Sequence, residues 1–130
     1  MSDVSRDIQN DELTRRVIGL AIDVHKALGP GLLESAYEEC LNWELEQHGL
    51  NVERQIPLPV VYKEIHLDVA YRIDLWVNRE LVVELKAVDA LLPIHEAQLL
   101  TCLRLSKTHR GLLMNFNSPR LKDGIRRMVN

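Results

Sequence analysis

Cysteine is scarce in this chain: the two that occur, Cys40 and Cys102, fall within apolar helical patterns and have no metal-ligand spacing. A cysteine-built metal site is therefore excluded, and free buried thiols are expected. Long apolar runs are missing too. None approaches the roughly 20 residues that span a bilayer, and the polar N-terminus lacks a signal-peptide core. A cytoplasmic protein without membrane association is the expectation. Basic residues are sparse over the first hundred positions, 9 Lys/Arg against 18 Asp/Glu, whereas residues 101–130 carry 7 against 1. Charge alone therefore does not mark a nucleic-acid binder. The basic end (Arg104, Lys107, Arg110, Arg120, Lys122, Arg126, Arg127) is either a face for a polyanion or a solvated surface. Internal repeats, low-complexity tracts and linkers are also absent. The 130 residues suit one core and not two, so a single domain is expected over residues 11–130. Residues 1–10 lack apolar periodicity and are expected to be loosely ordered.

What is present has a clear order. Asn10-Asp11-Glu12-Leu13 has the form of a helix start, with Asn10 as cap and acids in the first turn. Val17, Leu20, Ala21, Val24 and Leu28 then recur at helical spacing until Gly29-Pro30-Gly31 stops the helix. A second helix is predicted over 33–48, with an apolar face of Leu33, Ala36, Tyr37, Cys40, Leu41 and either Trp43 or Leu45, and Gly49 as its stop. From Val52 the pattern turns to strand. Residues 52–62 contain Pro57 and Pro59 and suit an edge or a bulged strand. Residues 66–77 and 81–87 follow as strands, the latter apolar enough to be buried on both faces. Pro93 opens a third helix over 94–106, residues 111–117 form another buried strand, and 119–129 fit either a short helix or a strand. This order implies an α/β protein with a mixed sheet and helices on both faces. The connection from the 81–87 strand through the third helix should be parallel.

The chemistry concentrates on two neighbouring strands. Asp74 closes Tyr71-Arg72-Ile73-Asp74, and Glu84-Leu85-Lys86 closes the next apolar run. Acids and a lysine inside a sheet need partners or a metal. Side chains alternate along a strand, so Glu84 and Lys86 share one face, and Arg72, Asp74 and Trp76 share one face of the neighbour. Whether the faces coincide depends on the turn. A two-residue turn at Asn78-Arg79 pairs Val77 with Glu80 and separates the acids; a three-residue loop or bulge pairs Val77 with Leu81 and sets Asp74 opposite Glu84. In the second register the acids would hold Mg²⁺ or Mn²⁺ and Lys86 would orient a water or balance charge. In the bland alternative Lys86 only forms a salt bridge with one of the acids.

A second motif, Gly31-Leu32-Leu33-Glu34-Ser35-Ala36-Tyr37, resembles the pattern that names the GxxExxY proteins of the PD-(D/E)xK nuclease superfamily. The resemblance continues through Tyr71-Arg72-Ile73-Asp74, Val83-Glu84-Leu85-Lys86, His95-Glu96-Ala97-Gln98-Leu99-Leu100, residues 111–117 and Pro119-Arg120-Leu121-Lys122-Asp123-Gly124. It implies a three-layer, restriction-endonuclease-like core, a small mixed sheet flanked by helices. It also implies Glu34, Asp74 and Glu84 as ligands of Mg²⁺ or Mn²⁺, with Lys86 as the lysine and Gln98 as a helix-borne catalytic glutamine. In that pattern Ile73 stands where a proline is usual and Cys102 where a tyrosine is usual. Arg72, His95 and Tyr37 are candidates for contacting substrate. The implied function is a metal-dependent nuclease acting on DNA rather than RNA, possible as a homodimer or within a larger complex. The rival is an inactive nuclease-fold module that binds nucleic acid or a protein partner.

Overall fold

The computed structural model describes residues 2–130, with the side chains of residues 2–11, 69 and 70 excepted. The helix expected to start with Asn10 as its cap begins earlier, and residue 10 lies inside α1 (Ser2–Leu28). Helix α1 (Ser2–Leu28) buries Leu13, Val17, Leu20, Ala21 and Val24 along one stripe, as a 3.6-residue period dictates. It ends where Gly29, at φ +71, donates its N–H to His25 O at 2.7 Å; glycine takes that left-handed conformation without steric cost. Helix α2 (Glu34–Gln47) buries Tyr37, Leu41 and Leu45. Two residues expected on its apolar face are exposed instead, Leu33 at 77% and Trp43 at 59%. Leu33 precedes the helix, and Leu45 completes the i, i+4, i+8 stripe that Trp43 would leave.

Strands β1 (Val52–Tyr62), β2 (Ile65–Val77), β3 (Leu81–Lys86), β4 (Arg110–Asn115) and β5 (Ile125–Val129) form one sheet in sequential order. All neighbours are antiparallel except β3 and β4, which helix α3 (Pro93–Ser106) connects. Residues 119–129 adopt both forms expected of them, a 3₁₀ helix (Leu121–Gly124) followed by β5. β1 is an edge strand, as its prolines suggested, and carries a register shift between Leu58 and Val60.

The sheet divides the core in two. On one face Leu75, Val77, Leu81, Val83, Leu85, Leu112 and Met114 pack with α1 and α2. On the other Trp76, Val82 and Leu113 pack with Leu99, Cys102 and Leu103 of α3. A Cβ on Gly111 would stand 3.0 Å from Leu99 Cδ1, so glycine there lets α3 sit close to β4. The result is three layers, helix on sheet on helix.

The turn after β2 decides where the acids go. Asn78 and Arg79 both have positive φ, and Glu80 N–H donates to Val77 O at 2.9 Å. Yet the strands pair Val77 with Leu81, Trp76 with Val82 and Leu75 with Val83, which leaves Glu80 as an extra, bulged residue. One step further along this register Asp74 comes opposite Glu84. Arg79, despite its left-handed backbone, is held by two hydrogen bonds to Glu53 and lies 4.4 Å over the Trp76 ring.

Candidate active site

The β2–β3 ladder stops at Leu75 and Val83. Beyond that point side chains take over the hydrogen bonding. Asp74 Oδ2 accepts the Leu85 N–H at 2.9 Å, a donor that the last strand pair leaves behind. The Glu84 carboxyl lies beside it, close enough that the charge of Asp74 raises its pKa. Cys102, buried on α3, brings its Sγ to 3.9 Å from Glu84 Oε1 and 4.0 Å from Arg72 O.

Two acids so placed resist ionisation. Burial, then the charge of Asp74, pushes the Glu84 carboxyl up to about 8, with Lys86 opposing. Burial also raises Asp74; the Leu85 N–H opposes it, the charge of Glu38 adds to it, and Lys86 and Gln55 pull it down. The Cys102 thiol is pushed up to about 12 by burial and by the two acids, so it stays a thiol at neutral pH and is no nucleophile. Lys86 is half-buried on the Glu84 side of β3. Among the described residues it forms no ion pair within 4.0 Å, which counts against the reading that it only neutralises an acid.

A third carboxylate enters from α2, and it is Glu38 rather than Glu34. Glu38 is buried, receives Arg54 at 3.0 Å, and accepts Gln55 Nε2 at 2.7 Å. The same Gln55 nitrogen lies 3.4 Å from Asp74 Oδ1. Gln55 thus bridges helix and sheet, and it does so from φ +51 in the middle of β1, a conformation that costs a non-glycine residue energy and marks imposed geometry. Arg54 also pairs with Glu39 at 2.7 Å, which fixes the cation that holds Glu38.

Half-buried hard oxygens from Asp74 and Glu84, both raised in pKa chiefly by desolvation, match what Mg²⁺ or Mn²⁺ selects. Among the described residues no three His, Cys, Asp or Glu side chains close into a metal cage. Mg²⁺ fits such an open arrangement, because it is usually held by one or two carboxylates and completes its shell with water and phosphate oxygens.

A family model described as the PD-(D/E)XK nuclease superfamily matches residues 11–128. The chain belongs to that superfamily. No curated protein and no solved structure matches it. The mixed sheet between helices is consistent with the PD-(D/E)XK fold, and the superfamily typically uses a divalent metal. Asp74, Glu84 and Lys86, the acid, acid and lysine singled out in the sequence, lie close enough to one another for each acid to feel the charges of the other two groups.

The remaining candidates fare differently. Glu34 is exposed in the first turn of α2 and has no hydrogen bond or ion pair to the acids among the described residues. Glu38 lies one turn further in on the same helix face. Tyr37 is not placed for substrate. Its ring stacks on Phe116 with centroids 4.6 Å apart, and its hydroxyl donates to Gly29 O at 2.5 Å and accepts Leu32 N–H at 3.1 Å. The tyrosine of the motif therefore pins the glycine loop that precedes it. His95 accepts the Leu92 N–H at Nδ1, 3.0 Å away, and so caps α3. Gln98 is half-buried one turn before Cys102 and makes no hydrogen bond to the acids among the described residues. Arg72 is exposed, two residues before Asp74 on β2 and without an ion pair among the described residues. Glu38 and Gln55 went unnoticed in the sequence. Glu38 carried one signal, its i+4 spacing from Glu34; Gln55 carried none.

Proposed function

We propose that the protein is a metal-dependent phosphodiesterase that hydrolyses nucleic acid, DNA in preference to RNA, and that within its superfamily it belongs to the GxxExxY group. The observation that carries this reading is the half-buried Asp74–Glu84 pair, raised in pKa, beside a lysine that no ion pair consumes among the described residues. A bound Mg²⁺ or Mn²⁺ would supply Lewis acidity at a phosphoryl oxygen and a water more acidic than bulk. Asp74 and Glu84 hold that ion, and Gln55 and Leu85 N–H keep the Asp74 carboxylate oriented. Glu38, paired with Arg54 and tied to the same glutamine, holds Gln55 in place. Lys86 orients the attacking water or balances charge on the phosphoryl oxygens. Arg72, exposed on the same strand, contacts a flanking phosphate, and Gln98 and Glu34 border the site without forming its centre.

The exposed apolar residues Val61, Tyr62, Ile65 and Leu67 around the β1–β2 turn support a partner, a second copy or a larger complex, for a chain with no sequence-reading module of its own. Among the described residues no helix is long and apolar enough to cross a membrane, in keeping with a proposed cytoplasmic location. The test is isothermal titration of Mn²⁺ into wild type and Asp74→Ala, beside cleavage of single-stranded, duplex and branched DNA and of RNA. Binding and cutting in wild type, with cutting reduced about a thousandfold or more in the variant, is the expected result. Wild type that binds no metal and cuts nothing would leave the inactive binding module as the reading.

A further inference from the structure

A second charged feature lies at the same end of the sheet. A cleft of about 440 Å³ opens between the end of α1 and the 3₁₀ helix, lined by Lys26, Arg120, Lys122 and His25 together with Gly29 and Pro30. No carboxylate lines it. Lys26, Arg120 and Lys122 are exposed and, among the described residues, none of them has an ion-pair partner. Three like charges around one cleft make a positive potential that favours an anion. The cleft is also joined to the acid site by a short series of contacts. Lys86 O accepts the Phe116 N–H at 2.8 Å, and Phe116 O faces His25 Nε2 at 3.1 Å. The Phe116 ring stacks on Tyr37, whose hydroxyl holds Gly29 on the cleft wall.

We infer that this cleft binds a backbone phosphate of the nucleic-acid strand whose neighbouring phosphodiester lies at Asp74, Glu84 and Lys86. The inference rests on the nuclease reading and adds to it the path of the substrate. It explains how a chain with an acidic balance over its first hundred residues holds a polyanion: the strand leaves the acidic pocket over Gly29 and Pro30 and meets three cations drawn from two segments distant in sequence. His25, buried against Phe116, positions the wall.

The experiment is fluorescence anisotropy of labelled single-stranded and duplex oligonucleotides with the full chain in EDTA, so that strands stay intact, over a range of salt. Wild type is compared with Lys26→Glu/Lys122→Glu, with the charge-preserving Lys26→Arg/Lys122→Arg, and with Lys107→Glu as a control cation at the end of α3. Thermal unfolding confirms that each is folded. Two lost phosphate contacts should flatten the slope of log K against log salt by about 1.5 and weaken low-salt binding at least about tenfold. The arginine pair should retain binding, and Mn²⁺ titration of the acid pair should not change. Unchanged slope and affinity in the folded glutamate pair, or an equal loss from Lys107→Glu, would overturn the inference. So would inorganic phosphate that binds the cleft while oligonucleotide affinity stays the same in the glutamate pair. A wild type that binds strands through these lysines but cuts nothing would keep the strand path and remove the nuclease reading; a wild type that cuts while the glutamate pair binds unchanged would do the reverse.

Discussion

The two ends of the β2–β3 pair are built on opposite principles. At the turn end, Leu75 with Val83, Trp76 with Val82 and Val77 with Leu81 satisfy their backbone groups in a regular ladder and bury apolar side chains on both faces. At the other end the ladder is gone, and the Asp74 carboxylate takes up the Leu85 N–H with the Glu84 carboxyl beside it. The turn end stores stability, while the open end gives some of it up to keep two acids out of water. A site that must receive a cation is poised by that unpaid charge, because a carboxylate already neutralised by a salt bridge would have little to gain from the metal.

The sharpest way to test this contrast is to damage each end separately. Leu81→Ala, at the turn end, should cost about 2–5 kcal/mol of stability by leaving a cavity in a closed core while Mn²⁺ affinity in the folded protein stays within about twofold. Chemical denaturation and titration on the same sample would check both halves. Comparable loss of metal binding would mean that the two ends are mechanically one unit.

At the open end the expected signature is pH dependence. The folded pKa of Glu84 is raised to about 8 from an ordinary 4.5, so between those values the folded state holds a proton that the unfolded state has released. Unfolding then releases that proton, and stability of the metal-free protein falls as pH rises from about 4.5 and levels off above about 8. Glu84→Gln should remove most of this slope and stabilise the metal-free protein at pH 8 by up to about 4 kcal/mol. Metal affinity of wild type should rise over the same window. A stability profile that is flat between pH 5 and 8, compared by thermal unfolding, would mean the acids are not strained.

The smallest effect is expected at the bridge between helix and sheet. Gln55→Gly should relieve the backbone cost of φ +51, worth about 1 kcal/mol, and at the same time release Glu38 from Asp74. Metal affinity should fall only a few-fold by titration, because the acid pair itself remains. A drop as large as that of Asp74→Ala would promote Gln55 from a positioning residue to a part of the site.

Much of this was legible from residue order. Apolar runs, alternation and proline placement located the first four strands to within a residue or two, while β5 was left open between helix and strand. The acid–acid–lysine set was also visible, because charged residues ending apolar runs are conspicuous. Turn chemistry was not decisive: Asn78 and Arg79 form a tight turn with its own hydrogen bond, and only the bulge at Glu80 sets the register that brings Asp74 to Glu84. The helical acid was similarly open. Glu34 and Glu38 are one turn apart on one face, and which of them reaches the sheet depends on how far α2 slides along it. Tyr37 and His95 resembled substrate contacts and turned out to serve local needs, a loop anchor and a helix cap.

By itself the sequence determined the elements, their order, the division of the core between two faces, and the superfamily pattern, all of which follow from local periodicity and composition. Tertiary structure alone decided that the ladder ends at Leu75, that Glu38 and Gln55 join the acids, that Lys86 has no ion pair among the described residues, and that Lys26 meets Arg120 and Lys122 around one cleft. Those are relations between segments far apart in the chain, and the free energies that set them, burial and charge proximity, exist only once the segments are packed.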